Sequence, residues 1–200
     1  MTFLIIVISL VLIFDFINGF HDSANSIATV VSTKVLSPFK AVLLAAFFNF
    51  AAVWIFSLHV ATTMGKGVVH SEVINLTVIA SALVAAIIWN LVTWWLGLPS
   101  SSSHTLVGGL VGATIIKAGF GAIVLSGFLK IVAFIFISPL IGILLSYFIT
   151  IILLNVFKKS KPAKVDKWFR RLQLVSASLF SLGHGGNDAQ KSMGIIWVSL

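Results

Sequence analysis

Five stretches of this chain, roughly 2–17, 41–62, 73–98, 131–157 and 172 to the end, stay apolar for close to or beyond the ~20 residues a helix needs to cross a bilayer. That pattern leaves few folds open. Inside hydrocarbon every backbone N–H and C=O must be paired within the chain, so only helices or closed barrels can span. The alternating ten-residue segments of a barrel are absent, which leaves helices. A composition 59% hydrophobic and only 9% charged, with mean hydropathy +1.13, excludes an ordinary soluble globule. The first run lacks a basic leader and a small-residue cleavage site, so we expect a mature helix rather than a signal peptide. With no cysteine, disulfides and thiolate metal ligation are excluded.

A net charge of +8 would suit a nucleic-acid partner, but its distribution argues against one. Seven of the 13 basic residues, Lys158, Lys159, Lys161, Lys164, Lys167, Arg170 and Arg171, fall in one short stretch between apolar runs. Such a polybasic loop, 158–171, marks the cytoplasmic side and suits contact with anionic lipid. Lys34 and Lys40 mark a second cytoplasmic turn, so an even number of crossings is expected between Lys40 and Lys158. Helices at 41–62 and 131–157 supply two. The region 73–118 must then return to its starting face, and its short, Gly-rich second arm favours a re-entrant hairpin with its tip inside protein. The amino terminus is expected outside the cytoplasm.

Three polar islands interrupt the apolar runs. The first, "NGFHDSAN", lies in a segment 2–36 that is too long for one simple crossing. Asn and Gly are poor helix formers, and Asp, Ser and Asn favour helix starts. We therefore expect two half-helices meeting near the midplane, with Asp22 or Ser23 opening the second. A carboxylate at such depth costs about 2.5–3.5 kcal/mol and is a functional candidate by default. Asp22 and Asn25, three apart, offer hard oxygen ligands for Na⁺, or a carboxyl that exchanges a proton; a carboxylate satisfied by local capping is the alternative. His21 reads as a proton carrier or a spare hydrogen-bond donor, and Asp15 has no evident partner.

The second island, "PSSSSHTLVGGLVG", sets Ser100, Ser101, Ser102, Ser103 and His104 at the start of the second hairpin arm. Pro99 is expected to halt the first arm, and Gly108, Gly109 and Gly112 to permit close packing. A hydroxyl-lined helix start is an anion site that needs no fixed counter-charge, which suits a ligand that must also leave. The third island, "GHGGNDAQKSMG", echoes the first. Placing Asp188 on Asp22 brings Asn187 onto His21 and Lys191 onto Asn25. If the first copy runs inward, a copy following the cytoplasmic loop runs outward, the mark of an inverted repeat.

Together, "NGFHDSANSIAT", "PSSSSHTLVGGLVGA" and "GHGGNDAQKSMGII" resemble the PiT family of inorganic phosphate transporters, particularly its bacterial branch. The resemblance implies an all-α polytopic membrane protein of the inverted-repeat kind, with broken helices and a re-entrant hairpin. It implies a first repeat over 1–157, the loop 158–171, and the opening of a second repeat over 172–200, so the chain is expected to be a fragment. It further implies cation-coupled import of phosphate across the plasma membrane, the bacterial inner membrane, by a homodimer. By position, Ser100–Ser103 and Asn25 would meet phosphate, and Asp22, Asn25 and Asp188 the coupling cation or proton. His21, His104, Asn187, Gln190 and Lys191 would be accessory. Relatives often carry Asp-x-x-Asn in the second copy; here Gln190 and Lys191 follow Asp188, which argues against a simple two-sodium scheme. Lys191 would occupy a cation site or touch the anion. The bacterial branch points to proton coupling ahead of sodium, with metal-phosphate as a possible substrate and no cofactor.

Rival readings are a transporter of another oxyanion such as sulfate, an inactive fragment, and an intramembrane hydrolase built on serine, His104 and Asp22. No G-x-S-x-G motif supports the hydrolase, and Ser103 next to His104 in sequence says nothing of their convergence in space.

Overall fold

The computed structural model describes residues 1–55 and 67–199, with side chains up to residue 196. Among them the chain forms six α-helices: α1 (Thr2–Ser32), α2 (Pro38–Ile55), α3 (Leu76–Trp95), α4 (Ser102–Ala118), α5 (Leu125–Phe157) and α6 (Pro162–Ser199). Four of them, α1, α2, α3 and α5, are long and apolar enough to cross a membrane. The run expected from residue 172 is not among these four. It lies in α6, where His184, Asn187, Asp188, Gln190 and Lys191 dilute the apolar residues. The end of the helix expected at 41–62 lies outside the described residues.

The break expected in the first segment is absent: α1 is one helix of 31 residues. Gly19 weakens it by about 1 kcal/mol, but tertiary partners override that local preference. Ser23 does not cap a new helix; its Oγ donates back to Phe20 O at 3.0 Å. Instead, Asp15, Asn18, Asp22 and Ser26 recur at helical spacing and present their polar groups along one stripe. At 1.5 Å per residue α1 is about 46 Å long and exceeds the hydrocarbon thickness, so it crosses tilted or projects beyond it. It ends in a Schellman motif: Val35 N–H donates to Val30 O, and Lys34 N–H to Val31 O, both at 3.0 Å. Lys34 occupies the left-handed position at φ 56°. A side chain there costs about 1–2 kcal/mol, so Lys34→Gly is expected to stabilise the protein by about 1 kcal/mol, read as a raised denaturant midpoint.

The helices α3 and α4 pack side by side as the expected hairpin. Its first arm stops earlier than Pro99 suggests. Gly97, at φ +66°, closes a second Schellman motif in which Leu98 N–H donates to Thr93 O at 2.9 Å. Of the three glycines in α4, only Gly109 sits in close contact, where a Cβ would lie 2.6 Å from Ala82 O; Gly108 and Gly112 face open space. The start of α3 is capped by Asn75, whose Oδ1 accepts from Val78 N–H at 3.0 Å.

The polybasic loop is shorter than its charge run. Only residues 158–161 turn; Pro162 opens α6, as proline suits the first helical position. Lys164, Lys167, Arg170 and Arg171 therefore decorate the first turns of a helix of 38 residues, with Arg170 paired to Asp166 at 3.0 Å.

The core lies where α1, α3 and α4 meet. Val7, Val11 and Phe14 of α1 pack on Ile79, Leu83 and Ala86 of α3 and Leu106 of α4, with Ile195 of α6 alongside. A smaller cluster, Val30, Ala41 and Ala177, ties the opposite end of α1 to α2 and α6. Helix α6 thus lies along α1 for most of its length. By contrast α5 has no buried residue and meets the basic end of α6 through the Phe157 and Phe169 rings, 5.3 Å apart.

Candidate functional site

Helices α1 and α6 run antiparallel, and polar contacts punctuate their interface in register. Ser192 Oγ donates to Asp15 Oδ1. One turn along α1, Asn18 Nδ2 donates to Asp188 Oδ2 at 2.8 Å. A further turn on, His184 Nε2 lies 3.9 Å from Asp22 Oδ2 and 3.2 Å from Asp188 Oδ2. Near the end of α1, Thr33 Oγ1 donates to Gln173 Oε1 at 3.0 Å. Each step forward on α1 is matched, to within one residue, by a step back on α6. The shift that carries Asp22 onto Asp188 also carries Asn18 onto His184, so the Asn18–Asp188 and Asp22–His184 contacts exchange under it.

Lys191 joins this interface to the hairpin. Its side chain is only 8% exposed, and its Nζ donates to Asp188 Oδ1 at 2.7 Å, to Ser103 Oγ at 3.1 Å and to Ser102 Oγ at 3.3 Å. Ser102 begins α4 and is buried, so the positive end of a 17-residue helix and an ammonium converge on the same hydroxyls. The serine tip is therefore not free of fixed counter-charge, as its sequence suggests. Its cation arrives from a helix nearly ninety residues further on, and it is shared with a carboxylate, which limits how firmly it can hold an anion.

Of the remaining serines, Ser100 Oγ lies 3.3 Å from Thr105 Oγ1, and Ser101 is the exposed N-cap residue of α4, making no side-chain capping bond. With exposed His104 they line a cavity of about 650 Å³ on the far face of the hairpin, together with Trp89, Gly108 and Gly112. Asn25 is exposed, and its Nδ2 donates to Asp22 Oδ1 at 3.4 Å. His21 Nε2 lies 3.4 Å from Thr93 Oγ1 of α3, and Asn187 is exposed while Gln190 is buried. The structure thus brings together Asp22, Asp188, Lys191, Ser102 and Ser103, and sets His104 and Asn187 outside that group.

Sequence reasoning passed over Asn18, His184 and Ser192, and left Asp15 without a partner. All four lie on the facing stripes of α1 and α6. The signal was the spacing: His184, Asp188, Lys191 and Ser192 follow one helical face just as Asp15, Asn18 and Asp22 do. The expectation of broken helices hid it. Asp22, His184 and Asp188 offer ligand atoms all within 4.8 Å of one another.

The model of the Phosphate transporter family matches residues 18–164 and 157–200. A protein of Rhizobium meliloti named "Probable low-affinity inorganic phosphate transporter" is 56% identical over 193 residues, covering 96% of this chain and 58% of its own length. One of the same name from Streptomyces halstedii is 42% identical, covering 92% of this chain and 87% of its own. The Escherichia coli low-affinity inorganic phosphate transporter PitB is 34% identical, covering 98% and 45%. The chain thus spans a little over half the length of the Rhizobium relative. A solved structure titled "The sodium-dependent phosphate transporter" superposes with a TM-score of 0.81 at 24% identity, covering 99% of this chain and 67% of that one, which establishes the likeness of fold. These relatives are named as transporters. A multi-pass membrane chain with apolar spans, a serine-tipped hairpin and two facing carboxylate helices, it belongs to the phosphate transporter family.

Proposed function

We propose that this chain carries the anion- and cation-binding centre of a transporter that imports inorganic phosphate by cation-coupled symport. The observation that carries the reading is the meeting of Lys191 with Ser102 and Ser103 at the start of α4. Hydroxyls, first-turn N–H groups and one ammonium suit a tetrahedral oxyanion. Phosphate entering there exchanges the serine oxygens around Nζ for its own, while Asp188 keeps its bond to the ammonium. Ser100 and Ser101 line the approach.

Asp22 is the carboxylate with the weaker compensation. Asp188 has Lys191 at 2.7 Å, whereas Asp22 has the Asn25 amide at 3.4 Å and His184 at 3.9 Å. A phosphate brought close to it is repelled unless a proton or cation intervenes, and that repulsion is the source of coupling. The exchange of contacts between α1 and α6 supports an inverted repeat, with alternating access by rocking of the repeats. In this reading the protein is a homodimer of the bacterial inner membrane, with the amino terminus outside and residues 158–171 on anionic lipid at the cytoplasmic face.

Asp22→Asn is expected to abolish cation-stimulated uptake of radiolabelled phosphate by the full-length protein in liposomes. Uptake that stays at the wild-type level and still responds to the cation rejects the role of Asp22. Excess sulfate is expected to leave uptake unchanged; competition makes the substrate oxyanions in general.

A further inference from the structure

The seam between α1 and α3 repeats in heptads and contains one polar layer. Along α1, buried Val7, Val11, Phe14 and Asn18 follow one another at alternating spacings of four and three, and His21 continues the series. The a and d positions of a two-stranded coil have that spacing. At one end of the seam His21 Nε2 lies 3.4 Å from Thr93 Oγ1, a separation of 72 residues, and the neighbouring Phe20 and Trp94 rings are 5.4 Å apart. The same shift of 72 carries Val7, Val11, Phe14 and Asn18 onto Ile79, Leu83, Ala86 and Asn90. All eight are buried, and the six apolar ones share one core cluster. The helices therefore run parallel and in register, and Asn18 and Asn90 fall in one layer, both at a.

That layer is short of bonds. Asn18 is 2% exposed and Asn90 1%, yet Asn18 Oδ1 and both amide atoms of Asn90 make no hydrogen bond in the structure. Buried polar atoms are paired in the great majority of cases, and an asparagine at a single a position is kept for what it fixes, at a cost in stability. Asn18 shows what needs fixing. Its amide can present either a donor or an acceptor, and only the donor suits the Asp188 carboxylate, to which Nδ2 donates at 2.8 Å.

We propose that Asn90 is a positioning residue for the anion site: its Nδ2 donates to Asn18 Oδ1 and so holds the Asn18 amide with its own Nδ2 on Asp188. The effect reaches the anion through charge. Asp188 divides its charge between Oδ1, which holds Lys191, and Oδ2, which accepts from Asn18 and lies 3.2 Å from His184 Nε2. A donor on Oδ2 draws charge away from Oδ1 and loosens the carboxylate's hold on the ammonium, which is then freer to serve Ser102, Ser103 and an anion. Losing the Asn18 bond reverses this. Lys191 is pulled towards Asp188, and anion affinity falls.

This inference rests on the transport reading for its purpose, whereas the pairing itself is read from stability. In the purified full-length protein, Asn18→Leu and Asn90→Leu are each expected to lower the denaturant midpoint. The double variant is expected to lie above the sum of the two shifts, since it orphans no amide. Additive shifts overturn the pairing. In liposomes, Asn90→Leu is expected to raise the KM for radiolabelled phosphate about fivefold, the worth of one hydrogen bond, with the maximal rate unchanged. In an Asn18→Leu background the same change is expected to leave KM where Asn18→Leu alone puts it. Thr114→Val, which removes another buried and unpaired hydroxyl from the same hairpin, is expected to leave KM unchanged. A lower maximal rate at constant KM, or an equal rise of KM in both backgrounds, overturns the positioning role. If Asn90→Leu fails to fold by size-exclusion chromatography, Asn90→Ser, too short to reach across the layer, replaces it in every arm. Coupled midpoints in a protein without phosphate uptake support the pair and reject the transport reading alone. Wild-type uptake with additive midpoints rejects the pair alone.

Discussion

Replacing Lys191 by methionine is expected to remove phosphate uptake entirely and to destabilise the protein by about 3 kcal/mol, the low end of the cost of breaking a buried ion pair. The low end applies because Asp188 is 21% exposed and keeps donors from Asn18 and His184. Denaturant unfolding of the purified protein reads the stability, and radiolabelled uptake reads the function. A companion variant separates the two effects. Lys191→Met with Asp188→Asn leaves no uncompensated charge, so most of the lost stability is expected to return while uptake does not. A single variant as stable as wild type rejects the ion pair as a structural element. Full uptake in that variant rejects Lys191 as an anion ligand.

Gly185→Ala is expected to cost about 3 kcal/mol, at the upper end for overpacking. The atoms its Cβ would meet, Asn49 Cα and O, belong to a helix backbone and cannot rotate aside, so α2 and α6 must part. Gly183, two residues earlier in the same helix, faces open space. Gly183→Ala is therefore expected to be neutral or stabilising by up to about 1 kcal/mol, from helix propensity alone. The contrast between the two alanines is the test, read as opposite shifts of the denaturant midpoint. Equal effects reject the close contact between α2 and α6.

Much of the architecture was legible in the sequence because bilayer physics allows so few solutions. Apolar runs gave helices, charge gave a hairpin over 73–118, and "PSSSSH" gave its tip. The break in α1 was misread for a reason that generalises. Local propensity at Asn18, Gly19 and Asp22 opposes a helix, yet Asp15, Asn18 and Asp22 each find an answering group on α6, and tertiary pairing outweighs propensity. Lys191 shows the same limit from the other side. Sequence placed it on Asn25 by repeat, but only the antiparallel register of α1 and α6 carries its Nζ to serines nearly ninety residues earlier. Asn90 carried no signal at all: one asparagine in an apolar helix becomes informative only when its amide is seen to be buried, unpaired and level with Asn18.

Asn18–Asp188 and Asp22–His184 exchange with each other, yet the exchange is not exact. Two identical halves facing each other would form a balance with no preferred tilt, each posture the mirror of the other in energy. Here an amide on one side answers an imidazole on the other, and Asn25 answers Lys191. On the proposed transport reading, one pan carries its own permanent weight, the Lys191 ammonium, and the other is loaded from solution. On the same reading, the near-symmetry of the helix pair supplies the pivot, and the chemical differences between its halves decide which way it rests when empty.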